Sequence, residues 1–314
     1  SDEYDFTNGA NTSENGSATW QATWRKLRTA MVAGYGEAAR WIDLPQFADF
    51  MILNFWAGNA WDWNPNQNWM AAGPKLPDRG GWNFFSYDND VIWNDANANL
   101  TIPTAPYYVN TPRSGVMPPD GLMVTTATND VTLMDHAEFR ILFRDRVYKA
   151  FFHGGVLEPE RAQSILDHRV NELRLPLVAE TARWQPAAAT RMPWDRDGEW
   201  MTEIKRIRDS FIPSRPTAVL NQIRARGWYP VEAPEFAKHG GAVASGTQLT
   251  VTTTTPGTEM YATLDGNDPR LSGGGLHPSA ILITDPPPAS FIVTGPVHAA
   301  LEQWATLRAL AQAS

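Results

Sequence analysis

Residues 58–70, "GNAWDWNPNQNWM", hold three tryptophans and four asparagines around a single acid, Asp62. A core segment would avoid so many amides, because each buried amide must find hydrogen-bond partners. A plain surface loop would avoid three indole rings. The mixture points to a shaped loop whose polar groups have a task. Two further acids, Asp88 and Asp90, close the later stretch "FFSYDND" (84–90). Carboxylate and amide oxygens are the ligands that hard divalent cations take. The same residues also have plainer uses. Asp62 could simply accept backbone N–H groups in its turn, and Asp88 and Asp90 could be acids at a hairpin edge.

The flanking elements must position these groups. "DLPQFADFMILNFW" (43–56) predicts a helix, capped by Asp43, with Phe47, Phe50, Met51 and Phe55 facing inward at helical intervals. Gly58, Asn59 and Pro65 end it. Upstream, "ATWQATWRKLRTAMVAG" (18–34) sets Trp20, Trp24, Leu27 and Met31 at helical spacing, while residues 1–17 are polar, turn-rich and predict a coil. Downstream, "WMAAG" (69–73) and "WNFFSYDND" (82–90), separated by the turn-like "PKLPDRGG" (74–81), predict a hairpin with an acidic exit.

Residues 94–130 form a long Pro/Asn/Thr-rich stretch of the kind that is functional or mobile in a compact domain. Helices are expected over 135–152, from about 158, from about 175, over 198–212 and over 214–226. Ser214 is the expected N-cap of the last, with Pro216 in its first turn and Gly227 stopping it. "RDGEW" (196–200) is a helix start.

Composition shifts after "WYPVEAPEF" (228–236) to Gly, Thr, Val and Pro. "TQLTVTTTT" (247–255) alternates as a strand does, and "EMYATLDGNDPR" (259–270) is a strand entering a turn. A boundary is placed near Tyr229, giving a mostly helical domain with a small hairpin sheet over 1–229 and an all-β domain over 230–314, an α+β chain overall. "DGNDP" (265–269) lacks the later acid of a twelve-residue calcium loop and is a tight turn. Local propensity over 297–313 is helical.

The bulk composition narrows the function classes. At 314 residues, 43% hydrophobic and 19% charged, the chain is an ordinary globular one. A net charge of -8 with no basic run argues against a nucleic-acid partner. No apolar stretch approaches the ~20 residues of a membrane span, and no signal-like segment stands at Ser1. The absence of cysteine excludes disulfides, thiolate metal sites and a Cys nucleophile. None of the six histidines has the spacing of a helical zinc pair; His136, His153 and His168 are surface or packing residues. The 14 tryptophans suit either core packing or sugar stacking at a surface.

Two resemblances organise these features. "FMILNFWAGNAWDWNPNQNWM" (50–70) with "FFSYDND" resembles the C-terminal lobe of the spore coat protein H (CotH) kinase family, atypical protein kinases of bacterial surface proteins. "EFRILFRDRVYKAFFHGGVLEPERA" (138–162) and "VLNQIRARGWYP" (219–230) are similar to that family's helical tail. "GTEMYATLDGNDPR" (257–270) resembles the chitobiase/β-hexosaminidase C-terminal module, a small immunoglobulin-like sandwich. That module's pattern asks for strands flanking Trp304 and Leu307, and strands are the expectation there.

The kinase resemblance implies roles. Asp62 would be the catalytic base, Asn68 and Asp88 would hold Mg²⁺ on the phosphates of ATP, and Asp90 would assist. Phosphoryl transfer needs little else of a protein than positioning and charge stabilisation. A hairpin after the loop would bring Asp88 back beside Asn68. The Asp-to-Asn interval is six residues where protein kinases generally show five, so Asn64 and Asn66 stay open as the amide. The partner implied is a protein phosphoacceptor, and the location is extracellular or at the cell surface.

The other reading is a non-catalytic attachment protein bound to a surface polysaccharide, or a spacer within a cell envelope. The only lysine before Asp62 is Lys26, in a predicted helix, and "GYG" (34–36) is a connector. An ATP-binding N-terminal lobe is therefore not visible. The expectation is that the 314-residue chain binds ATP weakly or not at all by itself; autophosphorylation or casein phosphorylation by this chain, measured with labelled ATP, would overturn it.

Overall fold

A computed structural model describes residues 4–8, 18–59, 69–87, 89, 92–93, 123–125, 130–184, 195–239, 244, 246–252, 255, 258–283, 289–292 and 308–310. The architecture is α+β, with helices and small antiparallel sheets. The chain divides into two compact units, Ser1–Ala225 and Arg226–Ser314. Among the described residues no helix is long and apolar enough to cross a membrane.

In the first unit, helix α1 (Ala18–Ala33) leads through Gly34, at φ 129°, into α2 (Tyr35–Trp41) and then α3 (Leu44–Ala57). The Asp43 side chain caps α3 by accepting the Gln46 N–H at 3.0 Å. The expected inward face is buried, with Phe47, Phe50, Met51 and Phe55 at 0, 4, 0 and 0% exposure. Ala48, Ile52, Asn54 and Trp56 are buried too, so α3 is a core helix enclosed nearly all round.

Strands β2 (Trp69–Pro74) and β3 (Asn83–Ser86) form the anticipated hairpin, in a register that sets Trp69 opposite Ser86 and Ala72 opposite Asn83. Residues 1–17 depart from the coil expected of them. Tyr4–Asn8 is strand β1, antiparallel to β2 at the sheet edge. What anchors β1 is Asp5, whose carboxylate accepts the Thr23 hydroxyl at 2.6 Å and lies 3.5 Å from the Lys75 ammonium. Turn composition alone does not reveal such a pairing.

The hairpin is sewn to the α2–α3 junction. Trp82 N–H donates to Trp41 O at 2.7 Å, Asp43 N–H donates to Trp82 O at 3.1 Å, and the Trp82 indole donates to Pro74 O at 3.1 Å. Gln46, in the first turn of α3, uses both ends of its amide on one residue of β3. It donates to Phe84 O at 2.6 Å and accepts from Phe84 N at 2.8 Å. The Phe84 ring meets Phe47 edge-on at 4.8 Å and lies 5.7 Å from Trp69, geometries that aromatic quadrupoles favour.

Strands β4 (Met123–Thr125) and β5 (Asp130–Thr132) pair, and a capping box between Thr132 and Asp135 leads through a 3₁₀ turn into α4 (Ala137–Phe151). Helix α4 lies along α3. Phe143 packs on Phe55, and the Arg146 guanidinium grips the Asp49 carboxylate with both arms, Nε to Oδ1 at 2.6 Å. Helices α5 (Pro159–Leu173) and α6 (Pro176–Trp184) come next in the chain.

A last helical run begins at Asp195, which accepts the Gly198 N–H. It comprises a π turn (Arg196–Trp200), α7 (Met201–Arg206), a second π turn (Ile207–Phe211) and α8 (Ile212–Ala225). Ser214 is therefore not an N-cap. It sits inside the run and its hydroxyl donates back to Phe211 O at 2.8 Å, a bond within reach of any helical serine.

In the second unit, β6 (Glu235–Phe236), β7 (Gln248–Thr252) and β10 (Ala289–Ile292) form one sheet in the order β10-β7-β6. Strands β8 (Glu259–Ala262), β9 (Ile281–Ile283) and β11 (Arg308–Leu310) form another in the order β11-β8-β9. Within the stretch of ambiguous propensity, residues 308–310 are thus strand; Trp304 and Leu307 lie outside the described residues. After β8 the chain turns at Asp265, which accepts the Asn267 N–H at 3.1 Å. Hydrogen bonds from the Ser279 side chain and from Asn267 hold the Asp265 carboxyl down to about 2.

Gly81 gives a direct test of how the hairpin docks. It has φ 77°, and a Cβ there would lie 2.4 Å from the Asp43 nitrogen and 2.6 Å from the Ile42 carbonyl carbon. Gly80 has φ 97° with open space around it. Gly81→Ala should lose about 3 kcal/mol or more in urea unfolding, from a strained φ plus overlap with fixed backbone. Gly80→Ala should lose only the strain term, about 1–2 kcal/mol. Equal losses would mean that the turn does not seat against α3.

Candidate functional site

The tryptophan-asparagine loop leaves from the end of α3, and the way that helix terminates decides what the loop is attached to. The last four carbonyls of any helix lack intrahelical donors. Gly58 adopts the left-handed conformation, φ 68° and ψ 30°, and its N–H turns back to Asn54 O and Phe55 O, while Asn59 N–H reaches Asn54 O at 3.0 Å. Ala57 O accepts the N–H of Trp93 at 2.9 Å. Trp56 O accepts Arg215 Nε at 2.8 Å, and Phe55 O accepts Arg215 Nη2 at 2.7 Å. Each terminal carbonyl of α3 is thus satisfied, three of them by partners from beyond the helix's own end.

Arg215 comes from α8 and is fully buried. Its guanidinium lies 4.9 Å from the Phe211 ring centre. Burial pushes its pKa down to about 10, still far enough above neutrality to keep the cation. A cation at a helix C-terminus is favoured by the helix dipole. Arg206, from the same helical run, donates to the carbonyl of Trp93, a residue held at φ 60°.

A network of buried amides adjoins this helix end. Asn54, 2% exposed, donates to Phe50 O at 2.8 Å; its Oδ1 accepts from Asn59 Nδ2 at 2.8 Å and from the Ser86 hydroxyl at 3.0 Å. Asn59, 1% exposed, also donates to Asn89 Oδ1 at 2.9 Å. Asn59 opens the loop, and Asn89 lies between Asp88 and Asp90. The root of the loop and the acidic exit of the hairpin are therefore joined by a direct side-chain bond. The indole N–H groups of Trp56 and Trp93 are buried near this junction with no acceptor among the described residues.

Asp62, Asn68, Asp88 and Asp90 themselves, with the alternatives Asn64 and Asn66, lie outside the described residues. Their described neighbours bracket them. Asn59 precedes Asp62 by three residues, Trp69 comes directly after Asn68, and Tyr87 and Asn89 flank Asp88. Trp69 pairs with Ser86 across the hairpin.

Sequence patterns do not single out Asn54, Asn59, Asn89 or Arg215 as site residues. Asn54 carried a legible signal all the same, an amide within the apolar run "FMILNFW" that had to find partners inside the core. Arg215 carried none, because an arginine in a polar helical stretch is ordinarily a solvated one.

Truncating the central amide tests the network. Asn54→Ala should cost about 2–3 kcal/mol, since it strips a bond from Asn59, Ser86 and Phe50 O at once. A double-mutant cycle with Asn59→Ala should give a coupling of about 1 kcal/mol. A loss below about 0.5 kcal/mol in denaturant unfolding would show that the amides do not act together.

The model of one protein family, described as CotH kinase protein, matches residues 3–219. No curated protein and no solved structure matches the chain.

Proposed function

The chain belongs to the CotH kinase family, and from that premise we propose that its first unit is a phosphotransferase lobe centred on Asp62, Asn68, Asp88 and Asp90. Family membership gives the chain a kinase-like domain; the assignment of these residues rests on the junction beneath them. The observation that carries it is the 2.9 Å bond from Asn59 to Asn89. Chain connectivity keeps the Asp62 Cα within about 11 Å of the Asn59 Cα, and Asp88 and Asp90 are the immediate neighbours of Asn89. The acids of loop and exit thus start from one anchored point.

In this reading Asp62 orients the hydroxyl of a protein phosphoacceptor and takes its proton. Asn68, Asp88 and Asp90 offer amide and carboxylate oxygens, a donor set that suits Mg²⁺, an ion that keeps several of its own waters. The bound cation would neutralise charge on the phosphates of ATP. The buried amides Asn54 and Asn59 link the root of the loop to Ser86 and Asn89, Arg215 holds the end of α3 from which the loop departs, and Arg206 holds Trp93, just beyond the hairpin exit.

For the second unit we keep the chitobiase-type sandwich as the proposal, set outside the cell or at its surface. Its support is that Val251 of one three-stranded sheet and Met260 of the other are buried in one cluster, with Phe236 and Ile283 packed against it.

Cation binding without nucleotide is the direct test. Mg²⁺ or Mn²⁺ at about ten times its Kd stabilises the folded state by about 1.4 kcal/mol, a melting-temperature rise on the order of 3 °C for a unit of this size. Asp88→Asn should abolish the rise, and Asp62→Asn should retain it. The absence of any rise at millimolar metal, or an equal rise in Asp88→Asn, would remove these residues from the proposed centre.

A further inference from the structure

Arg215 lies 159 positions from Trp56 in the chain, yet it is the side chain that closes the helix end from which the candidate loop departs. We propose that Arg215 is a positioning residue for the site: its guanidinium fixes the end of α3 at Phe55 and Trp56, and so sets how Gly58 and Asn59 leave the helix toward Asn89. The inference rests on the phosphotransferase reading for its purpose, but its geometric content stands apart from it.

A fully buried guanidinium is expensive to desolvate, and replacing it with apolar side chains is often neutral or stabilising. Its contribution is better sought in geometry than in stability. The guanidinium is a planar fork of fixed donors. By meeting Trp56 O with Nε and Phe55 O with Nη2, at 2.8 and 2.7 Å, it fixes two successive carbonyls relative to one plane. The Phe211 ring at 4.9 Å, itself 2% exposed, restrains that plane from one side.

The next carbonyl, Ala57 O, takes Trp93 N–H, and Trp93 O takes Arg206. The backbone is therefore held residue by residue up to Gly58, and the first residue beyond, Asn59, bonds to Asn89. A lysine in place of Arg215 would keep the charge but lose the fork.

Hydrogen exchange on Arg215→Lys and Arg215→Met reads the geometry directly, with the full 314-residue chain and no ligand. The amides of Gly58, Asn59 and Trp93, whose bonds lie at the junction, should exchange at least about tenfold faster, while those of α5 keep their rates. Terbium(III), excited through tryptophan, then reads the cation site, and its affinity should fall at least about tenfold in Arg215→Lys.

Unchanged exchange at those three amides, or equal acceleration throughout the unit, would overturn the positioning role. Should Arg215→Met fail to fold, Arg215→Lys decides alone. Terbium binding by the wild type that Asp88→Asn leaves intact would instead sink the metal assignment, with the exchange result still standing on its own.

Discussion

A buried helix cannot end in apolar surroundings without donors for its last carbonyls, and α3 ends there. The solutions adopted at Phe55, Trp56 and Ala57 recruit an arginine from α8 and a backbone N–H from residue 93. Satisfying one local requirement thereby gathers three distant segments at a single place: the root of the tryptophan-asparagine loop, the stretch beyond the hairpin, and the last helical run. The junction at Gly58, Asn59 and Trp93 derives from that necessity.

Alongside the carbonyls, side-chain amides do what a neighbouring strand would otherwise do. Gln46, Asn54 and Asn59 bond in turn to Phe84, Ser86 and Asn89. An amide carries both donor and acceptor and has no charge to desolvate, so it can match a backbone edge or a second amide inside the core at modest cost. The hairpin is thus pinned to α3 along its outgoing strand. Phe84 and Ser86, the pinned residues of that strand, stand just before Asp88 and Asp90 in the sequence.

The elements written in local patterns were legible from the sequence. Apolar residues at helical spacing located α1, α3, α4 and α5, and Asp43 marked a true cap. The turn between "WMAAG" and "WNFFS" marked the hairpin. Features that depend on distant partners were not legible. Strand β1 pairs along its whole length with β2, and Asp5 finds Thr23 and Lys75; nothing within residues 1–17 announces these partners. Ser214 has the chemistry of a cap but sits in a continuous helical run, because the π turns before it carry the chain through. Asn54 and Arg215 show the same limit from the other side: a polar residue reveals its role only once its partner is placed.

The π turn Ile207–Phe211 has a consequence for the two arginines that serve the end of α3. Arg206 and Arg215 are nine residues apart, and in an unbroken α-helix that spacing would put them on opposite faces, about 180° around the axis. A π turn takes up about one extra residue and rotates the succeeding helix by roughly a quarter-turn or more. The widened turn thereby acts as a phase shifter, letting a single helical run address the same target twice. Winding the same residues as an ordinary α-helix would set the two guanidinium groups on opposite faces, whereas removing one residue between 207 and 211 would abolish the widened turn and leave them in phase, about 80° apart.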